Sequence, residues 1–132
     1  MLKFKGNITS GLNRASEFMK KEIYFKQYQE KLGYIPYCGT LNITLTDDIH
    51  LDVNGKLKKD LKIIHGNSEY GDVFFLNAKI TNPKNKMDKT GDILFPTKTV
   101  YTFNTLEFIA DEKLREKMEL DDDDSVLIEL LI

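Results

Sequence analysis

Apolar and polar residues alternate along several short stretches of this chain, as expected for half-buried β-strands. The alternation is clearest from Thr40 to Leu45, where every second residue is apolar. Because residues two apart on a strand project from one face, Thr40 and Asn42 share a face there. Turn-forming pairs such as Asn54-Gly55 separate the alternating stretches. The strands predicted in this way are 2–9, 40–46, 61–65, 72–81, 92–96, 105–110 and 125–132.

Two other stretches are predicted to be helical. The longer is Glu17–Leu32, for which Ser16 is a suitable N-cap and Gly33 a natural residue just past the C-terminus. A shorter helix is expected over 112–118, with Asp111 as its N-cap. Several short strands with one long and one short helix predict a mainly β (α+β) fold built around a small barrel.

Length and charge limit the class of protein. With 132 residues the chain can enclose one core but not two, so we expect one domain over 1–132. Nineteen basic residues against twenty-one acidic ones give a net charge of −2, which argues against non-specific nucleic-acid binding. Residues 121–124 are all aspartate, and we expect them to form a solvated turn before the last strand.

Membrane and export signals are not expected either. The most apolar run, Val126 to Ile132, is interrupted by Glu129 and is too short to cross a bilayer. The first five residues lack the apolar centre of a signal peptide. The single Cys38 cannot form an intrachain disulfide and fits a reducing compartment. We therefore expect a cytoplasmic protein that binds no membrane.

Two features could carry phosphate chemistry. The side-chain oxygens of Thr40 and Asn42 would suit Mg²⁺, which takes only one or two protein oxygens in many phosphoryl-transfer sites. From this pattern alone, a polar strand face in contact with solvent is the alternative. The stretch from Ser10 to Glu17 could bind phosphate, because it enters the N-terminus of the predicted long helix and contains Arg14. The P-loop signature and zinc-binding Cys/His clusters are absent from the sequence.

Four motifs occur in order along the chain and carry a family resemblance. They are S-G-L from Ser10, L-G-Y-I-P-Y-C-G-T-L-N from Leu32, F-P-T-K-T from Phe95 and K-L-R-E from Lys113. In this order and spacing, the chain resembles the archaeal-type CTP-dependent riboflavin kinases from about Gly6 to Val126. The resemblance implies a six-stranded, cradle-loop-type β-barrel. It also implies transfer of the γ-phosphoryl group of CTP to the 5′-hydroxyl of riboflavin, which gives FMN and CDP.

The same resemblance implies a set of site residues. Those expected to line the cytidine nucleotide are Leu12, Asn13, Arg14, Ala15, Ser16 and Glu17 on one side and Glu112, Lys113, Leu114 and Arg115 on the other. Thr40 and Asn42 are expected to bind Mg²⁺, and Thr99 and Glu107 to contact the flavin. Glu107 is also the candidate for accepting the proton of the ribityl hydroxyl. We expect a monomer whose partners are these small molecules.

One departure from the family pattern keeps other functions open. Relatives commonly have S-G-L-G-x-G in the first motif, whereas Asn13, Arg14 and Ala15 occupy that region here. Fewer glycines could keep the backbone from approaching the phosphates. The alternative from another class is a non-catalytic flavin- or nucleotide-binding module that has lost turnover, and a third possibility is a swapped-hairpin-type transcription regulator on a related barrel. The acidic charge balance weighs against the regulator.

Overall fold

The computed structural model describes residues 3–9, 22–37, 41–52, 60–65, 73–95 and 100–131. Within these ranges the strands are β1 (Lys3–Thr9), β2 (Leu41–Asp52), β3 (Lys62–Ile64), β4 (Val73–Asn82), β5 (Met87–Phe95), β6 (Val100–Ile109) and β7 (Ser125–Leu130). The helices are α1 (Glu22–Leu32) and α2 (Leu114–Lys117).

The strands form a closed antiparallel barrel. Their order is β3-β4-β5-β6-β2-β1-β7, and β7 also pairs with β4. Six strands therefore form the barrel, while β3 pairs with the first residues of β4 alone. The mainly β fold predicted from the sequence is confirmed, as is the six-stranded closure implied by the family resemblance. Closure pairs the edges that an open sheet of this size would expose.

Alternate residues of each barrel strand point inward and form the main core. Leu41, Ile43 and Leu45 of β2 face Leu106 and Phe108 of β6 in this way. Leu114 and Met118, from α2 and the residue after it, belong to the same core. The short helix therefore packs against one end of the barrel, where β1 and β6 finish and β2 begins.

A second apolar layer lies on the outer face of the sheet, under α1. We call it the outer apolar layer; its buried members are Tyr28, Leu32, Ile64, Phe75 and Ile109. The first two belong to α1 and the rest to strands, so α1 is packed on the outside of the barrel. The helix is also tied to the chain after β3, because Gln27 exchanges two hydrogen bonds with the His65 backbone.

Strands β5 and β6 approach each other very closely at Gly91. A Cβ atom there would lie 2.1 Å from the Ile109 carbonyl oxygen and 2.7 Å from the Phe108 ring. A glycine is therefore needed where the two strands meet. The paired residues that the structure records next to it are Asp92 with Ile109 and Ile93 with Phe108.

Several predicted boundaries need correction. Strand β2 continues to Asp52, and β5 begins at Met87, because these polar stretches pair in the ladder without showing apolar alternation. Helix α2 is shorter than 112–118, and its N-cap is Lys113 and not Asp111. The Asp111 carboxylate instead pairs with Lys89 Nζ at 2.7 Å. Of the long helix, 22–32 is helical as predicted, whereas 17–21 lie outside the described residues.

The aspartates at 121–124 form the predicted turn between α2 and β7. Two backbone hydrogen bonds join this turn to β1, from Ile8 N to the Asp124 oxygen (2.9 Å) and from Asp123 N to the Ile8 oxygen (2.8 Å). The Asp124 carboxylate accepts from the Asp121 N–H at 2.8 Å and from Lys84 Nζ at 2.9 Å. These bonds lower the pKa of Asp124, the backbone one most.

Candidate functional site

The ends of three strands meet at one end of the barrel and carry a row of polar residues. Strand register places Thr9 of β1 opposite Asn42 of β2, and Asn42 opposite Glu107 of β6. Residues directly opposite each other in an antiparallel ladder share a face, so the three side chains form a row, here called the polar row. Their neighbours along the strands point into the core, which puts the polar row on the outer face.

Asn42 is buried although it lies on the outer face. Only 4% of it is exposed, and its side-chain oxygen Oδ1 accepts no hydrogen bond from the residues that the structure describes. A buried acceptor without a donor costs about 1–3 kcal/mol. A cation bound at this oxygen would satisfy it, and an amide oxygen is a ligand type suited to Mg²⁺. The residue therefore fits the metal role expected of it.

Glu107 is the buried carboxylate of the polar row. It is 7% exposed and lies opposite Asn42. On the same strand face, two residues on, Ile109 belongs to the outer apolar layer. A carboxylate at the margin of an apolar layer can orient an alcohol or accept its proton. The structure thus brings the expected metal ligand Asn42 and the expected base Glu107 together.

The segment between β6 and α2 is attached to β5. Lys89 Nζ pairs with Asp111 Oδ1 at 2.7 Å and with Glu112 Oε1 at 3.2 Å. The hydrogen bond to Asp111 raises the pKa of Lys89. Lys113 pairs with Glu116 at 3.5 Å. Of the residues expected beside the nucleotide, Glu112 therefore has an ionic partner on β5 and Lys113 has one in α2.

The other two residues expected beside the nucleotide, Leu114 and Arg115, make different contacts. The Leu114 side chain is buried in the barrel core, so only its backbone could contact a nucleotide. The Arg115 Nη2 atom donates to the Thr9 carbonyl oxygen at 3.1 Å and to Asp122 Oδ1 at 2.6 Å. Arg115 therefore holds the last residue of β1, immediately before the stretch that was expected to bind phosphate.

Several predicted site residues lie outside the described residues. They are Leu12, Asn13, Arg14, Ala15, Ser16, Glu17, Thr40 and Thr99, together with Cys38. Their chain neighbours are described at two places beside the polar row. Thr9, the last residue of β1, leads toward Leu12, and Leu41, the first residue of β2, follows Thr40.

A buried ionic group near the polar row was missed by sequence reasoning. Asp92 is fully buried; its carboxylate accepts from Tyr34 Oη at 2.7 Å and from Lys62 Nζ at 2.9 Å. Burial raises the pKa of Asp92, and burial and the nearby Asp92 carboxylate raise the pKa of Tyr34. The available signal was a charged residue directly before the apolar pair Ile93-Leu94, a place where a buried charge needs partners.

Two negative observations concern the described ranges alone. They contain no group of three or more His, Cys, Asp or Glu residues arranged to hold a metal ion. A Mg²⁺ site completed by phosphate and water oxygens does not require such a group. No helix in these ranges is both long enough and apolar enough to cross a membrane.

Comparison with known proteins gives consistent matches. A family model named for CTP-dependent riboflavin kinases (CTP-dep_RFKase, described as "Domain of unknown function DUF120") matches residues 8–130. The chain is 51% identical over 130 residues to a riboflavin kinase of Methanosphaera stadtmanae, and the match covers 98% of both chains. It is 36% identical to a riboflavin kinase of Methanobrevibacter smithii, over 97% of this chain and 99% of the relative. A riboflavin kinase of Methanothermobacter thermautotrophicus is 32% identical, over 92% and 93%.

Proposed function

Because the chain belongs to the family of CTP-dependent riboflavin kinases, we propose that it phosphorylates riboflavin at a site built on the polar row. It is an enzyme that phosphorylates riboflavin, and the family to which it belongs is named for CTP as the donor. The proposal concerns where this chain does so and with which residues. One observation carries it: Asn42, whose buried Oδ1 accepts no hydrogen bond from the described part of the chain, lies in the ladder opposite the buried Glu107.

Asn42 would hold Mg²⁺, with Thr40 as the second protein ligand. The strand pattern gives Thr40 the same face as Asn42, two residues earlier. When bound, Mg²⁺ supplies positive charge that neutralises the phosphate oxygens during transfer. What the chain itself contributes is a buried amide oxygen at the start of a barrel strand.

Glu107 would orient the 5′-hydroxyl of riboflavin and accept its proton. A loose transition state needs little help from a base, so alignment of the hydroxyl is the larger part of this role. The partly apolar surroundings of Glu107 also suit a flavin ring system, since ligand pockets combine apolar walls with a few fixed polar groups. Thr99 would add a second contact to the flavin.

The nucleotide would lie between the stretch from Leu12 to Glu17 and the segment from Glu112 to Arg115. Both stretches adjoin the end of the barrel that carries the polar row. The first comes after Thr9 of β1, and the second comes after β6. Arg115, through the Thr9 carbonyl, connects the two sides. In this arrangement Arg115 holds Thr9 in place beside the nucleotide site, whether or not its side chain contacts the nucleotide.

Location and assembly belong to the same proposal. A reducing cytoplasm fits the single Cys38, and the enzyme is proposed to act as a monomer. Light scattering during size-exclusion chromatography at several concentrations tests the assembly state. A mass of twice 15.3 kDa at every concentration would contradict the monomer.

Label transfer tests the function and the metal together. The enzyme is incubated with riboflavin, Mg²⁺ and CTP labelled on the γ-phosphate; we expect the label in FMN, loss of transfer with a chelator and recovery when Mg²⁺ is restored. Transfer that persists after chelation would contradict the metal assignment. Riboflavin binding without any label transfer would instead favour the flavin-binding module without turnover.

A further inference from the structure

The buried carboxylate of Asp92 joins three separate segments of the chain. Asp92 lies on β5, Lys62 on β3, and Tyr34 two residues after the end of α1. Both carboxylate oxygens are used, Oδ1 by Lys62 Nζ and Oδ2 by Tyr34 Oη. We call these three residues the Asp92 clamp. A buried carboxylate needs its hydrogen-bond donors to stay in place. The Tyr34 hydroxyl and the Lys62 ammonium group are therefore held where Asp92 lies.

The clamp fixes the segment that leads into β2. Tyr34 Oη also lies 3.4 Å from the carbonyl oxygen of Ile109, the last residue of β6. Three residues later, the Tyr37 N–H donates to the Ala110 carbonyl oxygen at 2.8 Å. The segment from Tyr34 to Tyr37 is thus attached at both ends to the end of β6 before the chain continues toward β2.

The clamp is aligned with the polar row. Asp92 is the ladder partner of Ile109, which lies two residues from Glu107 on the same face of β6. Asn42 is only the second residue of β2, and strand ends separate more easily than strand centres. Holding the segment that precedes β2 in place would make the start of this strand, and with it Asn42, less able to separate from β6.

We propose that Tyr34 and Asp92 are positioning residues for phosphoryl transfer, which hold the start of β2 so that Asn42 presents its oxygen to the metal. This inference rests on the proposed function of Asn42. Neither residue need touch CTP, riboflavin or Mg²⁺. Lys62 has a different part, because it balances the buried charge of Asp92 and keeps it in place when Tyr34 is changed.

Tyr34→Phe is the decisive variant, because it keeps the ring and removes only the hydroxyl that reaches Asp92. Tyr28→Phe is the matched control: it makes the same change in the outer apolar layer, on α1 and not on the segment leading into β2. Metal affinity is measured with Mn²⁺ and CDP through the relaxation of water protons, and riboflavin affinity through flavin fluorescence. Asp92→Asn and the double variant complete a double-mutant cycle.

Groups that hydrogen-bond directly to a metal ligand are typically worth about 10–100-fold in metal affinity or activity, and Tyr34 would act on Asn42 less directly, through the backbone. We expect Tyr34→Phe to weaken Mn²⁺ binding by about tenfold, the lower end of that range, with riboflavin affinity kept within about twofold. Tyr28→Phe should leave Mn²⁺ affinity unchanged. The effects of Tyr34→Phe and Asp92→Asn should not add, since both act on the contact between Tyr34 and Asp92.

Failure of this inference can be separated from failure of the proposed function. Unchanged Mn²⁺ affinity in Tyr34→Phe, with an active wild-type enzyme, would overturn the positioning role and leave the function in place. Equal weakening of Mn²⁺ and riboflavin binding would show general loosening and would also overturn it. If Asp92→Asn does not fold, the comparison of Mn²⁺ affinity between Tyr34→Phe and Tyr28→Phe decides the question alone. A wild-type protein that forms no FMN would contradict the proposed function itself.

Discussion

Asn42 and Glu107 are directly opposite each other on neighbouring antiparallel strands, and both are buried on the outer face of the barrel. Opposite residues in such a ladder have Cβ atoms about 4.5–5.5 Å apart. Backbone pairing of two strands therefore sets the spacing between the proposed metal ligand and the proposed acceptor-binding carboxylate. Both residues lie on strands, and strands of a scaffold position functional groups more precisely than loops do.

Replacing Asn42 by Ala should remove most activity without harming the fold. The change deletes a proposed metal ligand, so FMN formation should fall by about 100-fold or more, given that outer partners alone are worth 10–100-fold. It also deletes a buried oxygen that lacks a donor among the described residues, so the melting temperature without ligands should stay the same or rise. Thr44→Ala, an exposed position on the same strand face, is the control. Near-normal FMN formation in Asn42→Ala would remove the metal assignment.

Glu107→Gln tests the acceptor site. The amide keeps the shape of the side chain but cannot take a proton, and loss of a positioned base costs about 10²–10⁴-fold in turnover. Turnover is measured at saturating riboflavin, CTP and Mg²⁺. Glu129→Gln on β7 is the matched control, since it changes a carboxylate that pairs with Lys79 away from the polar row. A loss of only a few-fold in Glu107→Gln would leave Glu107 as a binding contact.

Gly91→Ala should destabilise the barrel. The added Cβ would sit 2.1 Å from a backbone oxygen of β6, and the two strands would have to separate. Overpacking of this kind costs about 1–3 kcal/mol. At the upper end of that range, the melting temperature should fall on the order of 10 °C. Thr90→Ala, at the exposed neighbouring position, should change it little; equal melting temperatures for all three proteins would refute the close contact.

Asp124 should contribute to the loss of stability in acid. Its pKa is lowered in the folded protein, so its contribution is complete above the 3.8 of an ordinary aspartate and is lost as the pH falls through the folded value. Asp124→Asn should therefore flatten this part of the pH profile. Urea unfolding midpoints measured from neutral pH down to strongly acidic pH check this. If wild type and variant lose stability in parallel over that range, the Asp124 contacts do not contribute.

The sequence predicts the strands of the barrel better than the contacts between them. Alternation located the inward-facing residues of β2, and the turn at 121–124 followed from its charge. The first residues of β5 and the last residues of β2 were not predicted as strand. They have no apolar alternation, and backbone pairing with the neighbouring strand keeps them extended. Asp111 was a reasonable N-cap by residue type, yet a lysine on another strand takes its carboxylate.

The site residues depend on contacts between distant parts of the chain. Thr40 and Asn42 could be given a common face from the strand pattern alone, but the pairing of Asn42 with Glu107 is a matter of register. Register is set by the closure of the whole barrel and not by either strand. The contact of Tyr34 with Asp92 spans 58 residues, and nothing local to either residue predicts its partner.

The most direct test of the account is FMN formation with each of the four ribonucleoside triphosphates. The enzyme is incubated with riboflavin, Mg²⁺ and one nucleotide at a time, and FMN is separated and measured by its fluorescence. We predict FMN with CTP and far less with ATP, GTP or UTP, because a site fitted to cytosine leaves buried polar groups unpaired with another base, at about 1–3 kcal/mol each. Equal rates with CTP and ATP, or no FMN with any nucleotide, would contradict it.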